Sequence, residues 1–474
     1  MHSRSPVPGS KIGSTYMIPC SALSKGDFED ELKTLTLQAK CTFGVPPPPH
    51  KAWNLDEEGN LHVPRFYGLD RFGRAEKDER TIGDVMQRAA HVSEDEEPST
   101  GFVGTLTPVQ VRAKTVALSR HLGPDGEGGA IICLPCGFGK TVWAVNMIAE
   151  LGRKACVLVH KSFLRDQWTE AFQKFCPSLK VGYIQGKTWD VEGADVVIAM
   201  VMTVAKREYD PSTMDCFGLL CIDECHHMAA PVMSAAMLSF RARYIIGLTA
   251  TKERPDGLTP LLHWSIGPES FRAERDSEKV KVTIALLSFP VTEVRSKKDG
   301  KMIIATMLTA LALNKSRNEF LVSCIMRFIS AGRTILVLSD RIKQLELLYE
   351  RISSSGGLNE SDVGMFTSKT KEMERKEQLS RRIVFCSYGM ANEGLDKKDA
   401  DTCIMATPKG RVTQCIGRVQ RPCDTKKSPI VLDVVDDSPI FSTLRWQRQR
   451  MYSKEQYRVQ VLRPEDTKEE EWFV

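Results

Sequence analysis

Three clusters in this chain combine residue types suited to phosphate chemistry. In residues 131–141, I-I-C-L-P-C-G-F-G-K-T, an apolar run breaks into Pro135, Gly137 and Gly139 and is followed at once by Lys140 and Thr141. Glycines let backbone N–H groups turn toward phosphate oxygens, the lysine reaches the outer phosphates, and the threonine hydroxyl holds Mg2+. The order predicts a strand, a phosphate-binding loop and a helix start whose positive end adds to the attraction. Leu134 stands where the first glycine of G-x-x-x-x-G-K-[ST] is usual. In residues 219–227, L-L-C-I-D-E-C-H-H, two carboxylates close an apolar strand. Asp223 is expected to bind Mg2+ and Glu224 to polarise an attacking water. In residues 414–421, Q-C-I-G-R-V-Q-R, Arg418 and Arg421 fall one turn apart if the segment is helical, so both can reach phosphates.

Competing readings of the same residues are weaker. Cys133 and Cys136 form a C-x-x-C, but no second pair stands at zinc-ribbon spacing. Cys225, His226 and His227 are too crowded along the chain to converge on one tetrahedral ion. His226 is instead expected to be a polar contact between the nucleotide site and the rest of its domain.

The elements that must position these clusters follow a regular pattern. Branched apolar runs at 156–159, 196–201, 219–222 and 245–248 alternate with helical stretches, as parallel strands buried on both faces do. A second set at 335–338, 383–385, 402–405 and 430–435 alternates with helices expected over 314–330 and 343–352. The fold class is therefore α/β, with two doubly wound units. We expect an N-terminal accessory α+β region over 1–104, a first nucleotide-binding domain over 105–257 and a small insert over 258–300. A second domain over 301–444 and a tail over 445–474 complete the chain.

Within the N-terminal region, residues 63–73 interleave Arg65 and Arg71 with Phe66, Tyr67 and Phe72. They read either as a nucleic-acid surface or as the packed aromatic edge of a small domain. The acidic stretch 93–100 reads as a linker. The 258–300 segment carries Arg272, Arg275, Lys279, Lys281, Arg295, Lys297 and Lys298, which suit either a charged connector or an insert touching a polyanion.

The whole-chain balance narrows the class. With 474 residues, 42% hydrophobic and 26% charged, the chain is an ordinary multi-domain globular protein. A net charge of +5 is too mild to diagnose nucleic acid without a local basic surface. No apolar run is long enough to span a bilayer and residues 1–16 do not read as a secretory leader, so a cytosolic or nuclear protein is expected.

Taken together, the motifs resemble those of the superfamily 2 helicases and translocases, in their DEAH-like branch. Residues 223–226, D-E-C-H, are similar to that family's second motif; 247–251, G-L-T-A-T, to its third; and 387–396, S-Y-G-M-A-N-E-G-L-D, to its fifth. Residues 414–421 match the sixth motif, Q-x-x-G-R-x-x-R, without substitution. Residues 106–110, L-T-P-V-Q, resemble the segment whose glutamine reads adenine, and 159–168 resemble the one that holds backbone phosphates.

The ordering of the later motifs and the extension 252–257 bring the chain nearest to the XPB-like group and its versions in large DNA viruses. Arg254-Pro255-Asp256 stands there where an R-E-D triplet is usual. The resemblance implies two tandem RecA-like parallel-sheet domains that hold ATP and Mg2+ in a cleft, with nucleic acid above both. It implies phosphate contact by Pro135, Gly137, Gly139 and Lys140, Mg2+ binding by Thr141 and Asp223, and catalysis by Glu224, Gln414, Arg418 and Arg421. Gln110 would contact adenine, and Gly394 and Asp396 would lie between nucleotide and nucleic acid. The expected activity is an ATP-dependent helicase or translocase on DNA, with RNA as the alternative polymer. A transcription or repair partner is expected through residues 1–104, and the non-motor alternative is an ATP-gated binding scaffold whose N-terminal region recruits a polymerase or repair factor.

Overall fold

The computed structural model describes residues 5–40, 47–86, 101–135, 137–207, 210–229, 231–250, 254, 256–274, 280–287, 293–295, 300, 302–356, 358–394, 397–421, 423, 426–436 and 439–463. The chain divides into two compact units, Met1–Glu274 and Arg275–Val474.

The first unit opens with β1 (Lys11–Ile12), β2 (Tyr16–Pro19), α1 (Lys25–Thr34), β3 (Thr36–Leu37), β4 (His50–Lys51), β5 (Asn54–Leu55), β6 (Asn60–Val63), α2 (Arg65–Phe72) and β7 (Lys77–Asp78). A mixed sheet in the order β5-β6-β2-β1-β7 closes over Ile12, Tyr16, Ile18, Leu61 and Val63, the inward positions of alternating strands. This α+β part is not separate from the rest of the unit, because α2 docks it. Arg65 is fully buried, donating to the carbonyls of Ala242 at 2.7 Å and Phe240 at 3.4 Å, and burial pushes its guanidinium down to about 9. Phe66 joins the core beside Ile131 and Ile266. A Cβ on Gly129 would lie 2.1 Å from its ring, so only glycine lets ring and strand meet. Tyr67 packs edge-on against Trp264 at 5.2 Å and bonds Glu31, which also accepts from Arg71 at 2.7 Å. Residues 63–73 are thus the packed aromatic edge, not an open nucleic-acid surface, since stabilising the dock requires their rings and Arg65 inside.

The remainder of this unit runs α3 (Pro108–Ala117), β8 (Gly129–Cys133), α4 (Lys140–Leu151), β9 (Ala155–Val159), α5 (Ser162–Phe175), β10 (Val181–Gln185), β11 (Thr188–Trp189) and β12 (Val196–Met200). It continues with α6 (Val201–Lys206), β13 (Leu219–Ile222), α7 (Pro231–Leu238), β14 (Tyr244–Thr249), α8 (Thr259–Ile266) and β15 (Glu269–Arg272). The sheet order is β11-β10-β12-β9-β13-β14-β8-β15, parallel except where β11 turns back on β10. Strands β8, β9 and β13 are buried along their whole length, which is why their sequences are continuously apolar rather than alternating.

The second unit comprises β16 (Lys281–Leu287), α9 (Ile304–Ala312), α10 (Lys315–Ser330), β17 (Ile335–Ser339), α11 (Ile342–Ser353), β18 (Val363–Phe366) and α12 (Arg375–Ser380). It ends with β19 (Ile383–Ser387), α13 (Tyr388–Gly394), β20 (Thr402–Met405), α14 (Thr413–Val419), β21 (Ile430–Asp436), α15 (Pro439–Lys454) and β22 (Arg458–Leu462). Its parallel sheet has the order β18-β19-β17-β20-β21-β16-β22. Helix α10 starts where Asn314 Oδ1 accepts from the Arg317 amide at 3.0 Å.

Two expected boundaries are corrected here. The 258–300 stretch is not one insert: α8 and β15 complete the first unit, and β16 pairs with β21 inside the second. Its apolar strand Lys281–Leu287 was masked in sequence by flanking charges. Nor is 445–474 a tail throughout, because Arg448 and Tyr452 bond Asp433 at 2.8 Å and β22 pairs with β16. Arg275, Lys279, Lys297 and Lys298 lie outside the described residues, as does the linker 93–100.

Candidate nucleotide site

Parallel pairing of β13 with β14 and of β14 with β8 sets three carboxyl ends side by side. Residues about 90 to 115 positions apart in sequence thereby meet at one edge of the sheet, where doubly wound folds bind ligands. The loop after β8 is tied to its neighbours by its backbone: the Leu134 amide donates to Thr249 O at 3.0 Å, and Lys140 Nζ lies 3.5 Å from Leu134 O. Leu134 itself is wholly buried in the core. Its backbone is not left-handed, which is why a leucine serves where glycine is usual. Gly137 and Gly139 do need their type, with φ of 89° and 73°. The Pro135 carbonyl accepts from the Phe138 amide at 3.2 Å, and α4 then begins at Lys140, with Thr141 in its first turn.

Gln110 is turned to this loop. In a capping box at the start of α3, its Oε1 accepts from the Thr107 amide at 2.8 Å. Its Nε2 donates to Phe138 O at 3.0 Å and Gly139 O at 3.1 Å. Both amide hydrogens are directed to the loop, so this side chain ties α3 to the phosphate loop. A Cβ on Gly139 would sit 2.4 Å from Gln110 Nε2, a second reason for glycine there.

The acid pair follows β13. In an extended strand successive side chains point to opposite faces. Glu224, with φ 47°, breaks that alternation at a cost of roughly 1–2 kcal/mol and comes within 3.9 Å of Lys140 Nζ. Asp223 is buried; its Oδ2 accepts from Trp168 Nε1 and its Oδ1 from the Glu224 amide, both at 2.9 Å. Burial first and the Glu224 charge second hold the Asp223 carboxyl above the usual carboxylate range, against the pull of Trp168 and Lys140.

Behind the acids, His226 Nδ1 lies 3.3 Å from both Glu224 Oε2 and Thr249 Oγ1. It joins the acid motif to the end of β14, as a polar contact should. His227 packs between His226 and His160, with ring centroids 4.2 and 4.8 Å apart, and burial lowers His160 and His227 to about 4. Cys225 lies in the core against Gly247, so it faces apolar packing rather than a metal. Asp223 with the Thr141 hydroxyl is a hard-oxygen set of the kind that shares Mg2+ with phosphate oxygens and waters. Two adjacent carboxylates facing one lysine are what a divalent cation offsets, so these residues fit Mg2+.

In the second unit, Gln414 and Arg418 lie on α14, and the Arg418 Nε donates to Ala391 O at 2.9 Å from a buried position. The helix stops at Val419 and Arg421 follows in a final turn, its amide 3.5 Å from Arg418 O, so the two arginines are one turn apart. Gly394 ends α13. Asp396 lies outside the described residues, as do Thr251, Lys252 and Pro255.

Trp168 packs in the core on the inner face of α5, 5.9 Å from Phe172. Its bond to Asp223 was not foreseen, because the two are 55 residues apart and no local pattern links them.

Comparison with known proteins gives the family and the fold. Residues 104–254 match the family described as "Type III restriction enzyme, res subunit". The Acanthamoeba polyphaga mimivirus protein named "Putative ATP-dependent RNA helicase L396" is 30% identical over 414 residues, covering 85% of this chain and 76% of that one. "Probable helicase D10" of Escherichia phage T5 is 24% identical over 343 residues, covering 70% and 74%. Among solved structures, S. cerevisiae Dbp5 bound to RNA and ADP BeF3 matches with a TM-score of 0.53 at 13% identity, over 75% of this chain and 89% of that one, which shows a shared RecA-like fold. The chain belongs to the superfamily 2 helicases, enzymes whose ATPase activity depends on nucleic acid.

Proposed function

We propose that the protein is a DNA-directed helicase or translocase of the XPB-like group, acting in transcription or repair. The observation that supports an ATP-driven motor most directly is the convergence of Lys140, Glu224 and Thr249 at the ends of three neighbouring strands. Gly137 and Gly139 admit the phosphates, and Lys140 binds their outer oxygens. Thr141 and Asp223 hold Mg2+, which when bound neutralises charge on the phosphate oxygens. Glu224 orients the attacking water and takes its proton. His226 and Thr249 carry the change in Glu224's surroundings to the end of β14. Gln414, Arg418 and Arg421 are proposed contributors to hydrolysis on the strength of the sixth-motif resemblance, and Gly394 and Asp396 on that of the fifth.

The N-terminal α+β part, docked through α2 on the rest of the first unit, gives the motor an attachment through which a transcription or repair partner would be engaged. The test is ATP turnover by the full chain with single-stranded DNA, duplex DNA and RNA. Stimulation by DNA above RNA is expected, and the reverse order would replace the DNA assignment with RNA remodelling, the activity in the mimivirus relative's name. Equal turnover with and without polynucleotide would overturn the motor reading.

A further inference from the structure

Two tryptophans are wholly buried in the first unit, Trp143 and Trp168. A buried indole N–H ordinarily finds an acceptor. That of Trp143 has no hydrogen-bond partner in the described structure, so packing alone explains Trp143. That of Trp168 reaches Asp223 Oδ2 at 2.9 Å. Packing accounts for the size of both side chains; the bond to a carboxylate is the feature that sets Trp168 apart from Trp143.

The bond also divides the work on Asp223. The Glu224 amide donates to Oδ1 and Trp168 to Oδ2, so both oxygens are fixed while each keeps acceptor capacity. The indole ring is held by α5 and by Phe172, and the Asp223 amide is anchored to Leu158 O at 3.2 Å. A rigid donor on a rigid helix therefore sets the rotation of a carboxylate that would otherwise turn about its side-chain bonds.

We propose that Trp168 is a positioning residue for Mg2+: its N–H holds the Asp223 carboxylate in the orientation from which it binds the metal with nucleotide. This rests on the role proposed above for Asp223. Removing an outer partner of a metal ligand typically weakens metal affinity about 10- to 100-fold.

The experiment titrates Mg2+ into the full chain carrying a fluorescent ADP and reads the Mg2+ midpoint, with ADP binding in EDTA as the second measurement. Trp168→Phe is expected to raise the midpoint about 10-fold while ADP binding in EDTA stays at the wild-type level. Because that variant loosens packing, the isosteric benzothienyl analogue, with sulfur in place of N–H, is placed at position 168 as well, and it should give the same rise. Phe217→Leu, which loosens the core on Phe240 and away from Trp168, should leave the midpoint unchanged. Midpoints within twofold of wild type for both Trp168 replacements, or an equal rise in Phe217→Leu, would overturn the proposal. Asp223→Asn separates the two readings. If it leaves the midpoint unmoved, the metal role of Asp223 fails; if it shifts the midpoint and the Trp168 replacements do not, only the positioning role fails.

Discussion

Each unit buries carboxylates, and it does so for opposite ends. In the second unit Asp436 is met by Arg317, Nε and Nη2 at 2.8 and 3.0 Å, and Asp433 by Arg448 and Tyr452 at 2.8 Å. Each of these charges is matched within the chain by a planar, many-donor partner, and Arg317 additionally donates to Ala406 O at 2.5 Å. In the first unit Asp223 and Glu224 are set beside each other, with Lys140 3.9 Å from the second. Like charges placed together in a buried corner cost stability. The second unit's arrangement matches its carboxylates with arginines within the fold; the first unit's sets two carboxylates side by side, the arrangement that the proposed Mg2+ binding would use.

The contrast makes opposite predictions for the removal of one carboxylate. Glu224→Gln should lower ATP turnover about 100- to 10,000-fold, the usual worth of a general base. It should do so without lowering the melting temperature, since one of two adjacent negative charges is gone; a melting temperature that falls with activity would assign Glu224 to the fold instead. Asp436→Ala should reduce unfolding free energy by about 3–5 kcal/mol by stranding Arg317, measured by denaturant titration. Joint replacement of Arg317 and Asp436 by leucine should recover most of that loss, and failure to recover would mean the pair does more than neutralise itself.

Smaller effects sharpen the comparison. Gly129→Ala drives a methyl into Phe66 and the Ile266 carbonyl, so it should cost about 1–3 kcal/mol and weaken the dock of the N-terminal part. Proteolysis that releases residues 5–86 more readily in this variant would register it. Smallest of all, Lys369→Ala breaks an exposed pair with Glu346 in the second unit and should change stability by about 0–1 kcal/mol. A larger change there would show that the distinction between buried and exposed pairs does not hold in this protein.

Much of the site was legible in sequence because its chemistry is local. Gly137, Gly139, Lys140 and Thr141 are contiguous or nearly so, and so are Asp223 and Glu224; strands such as β8 and β13 announce themselves by uninterrupted apolar runs. What sequence left open lacked such a signal. Gln110 occupies a motif position, and its bonds to Phe138 and Gly139 depend on the proximity of α3 to the loop. Residues 63–73 have a composition that suits either a nucleic-acid surface or a core edge, and only the partners of Arg65 and Phe66 separate the two. Strand β16 is flanked by charges and paired with a strand about 150 residues later, so no local pattern assigns it to the second sheet.

The sequence by itself determined the phosphate loop, the acid pair and the two α/β units, because glycine geometry, carboxylate chemistry and strand hydrophobicity are properties of contiguous residues. Only the tertiary structure decided which buried carboxylates are matched with arginines within the fold. It also decided that an indole on α5 holds the carboxylate after β13. Those outcomes depend on which strands lie side by side in the sheet, and strand order is fixed by packing between segments far apart in the chain.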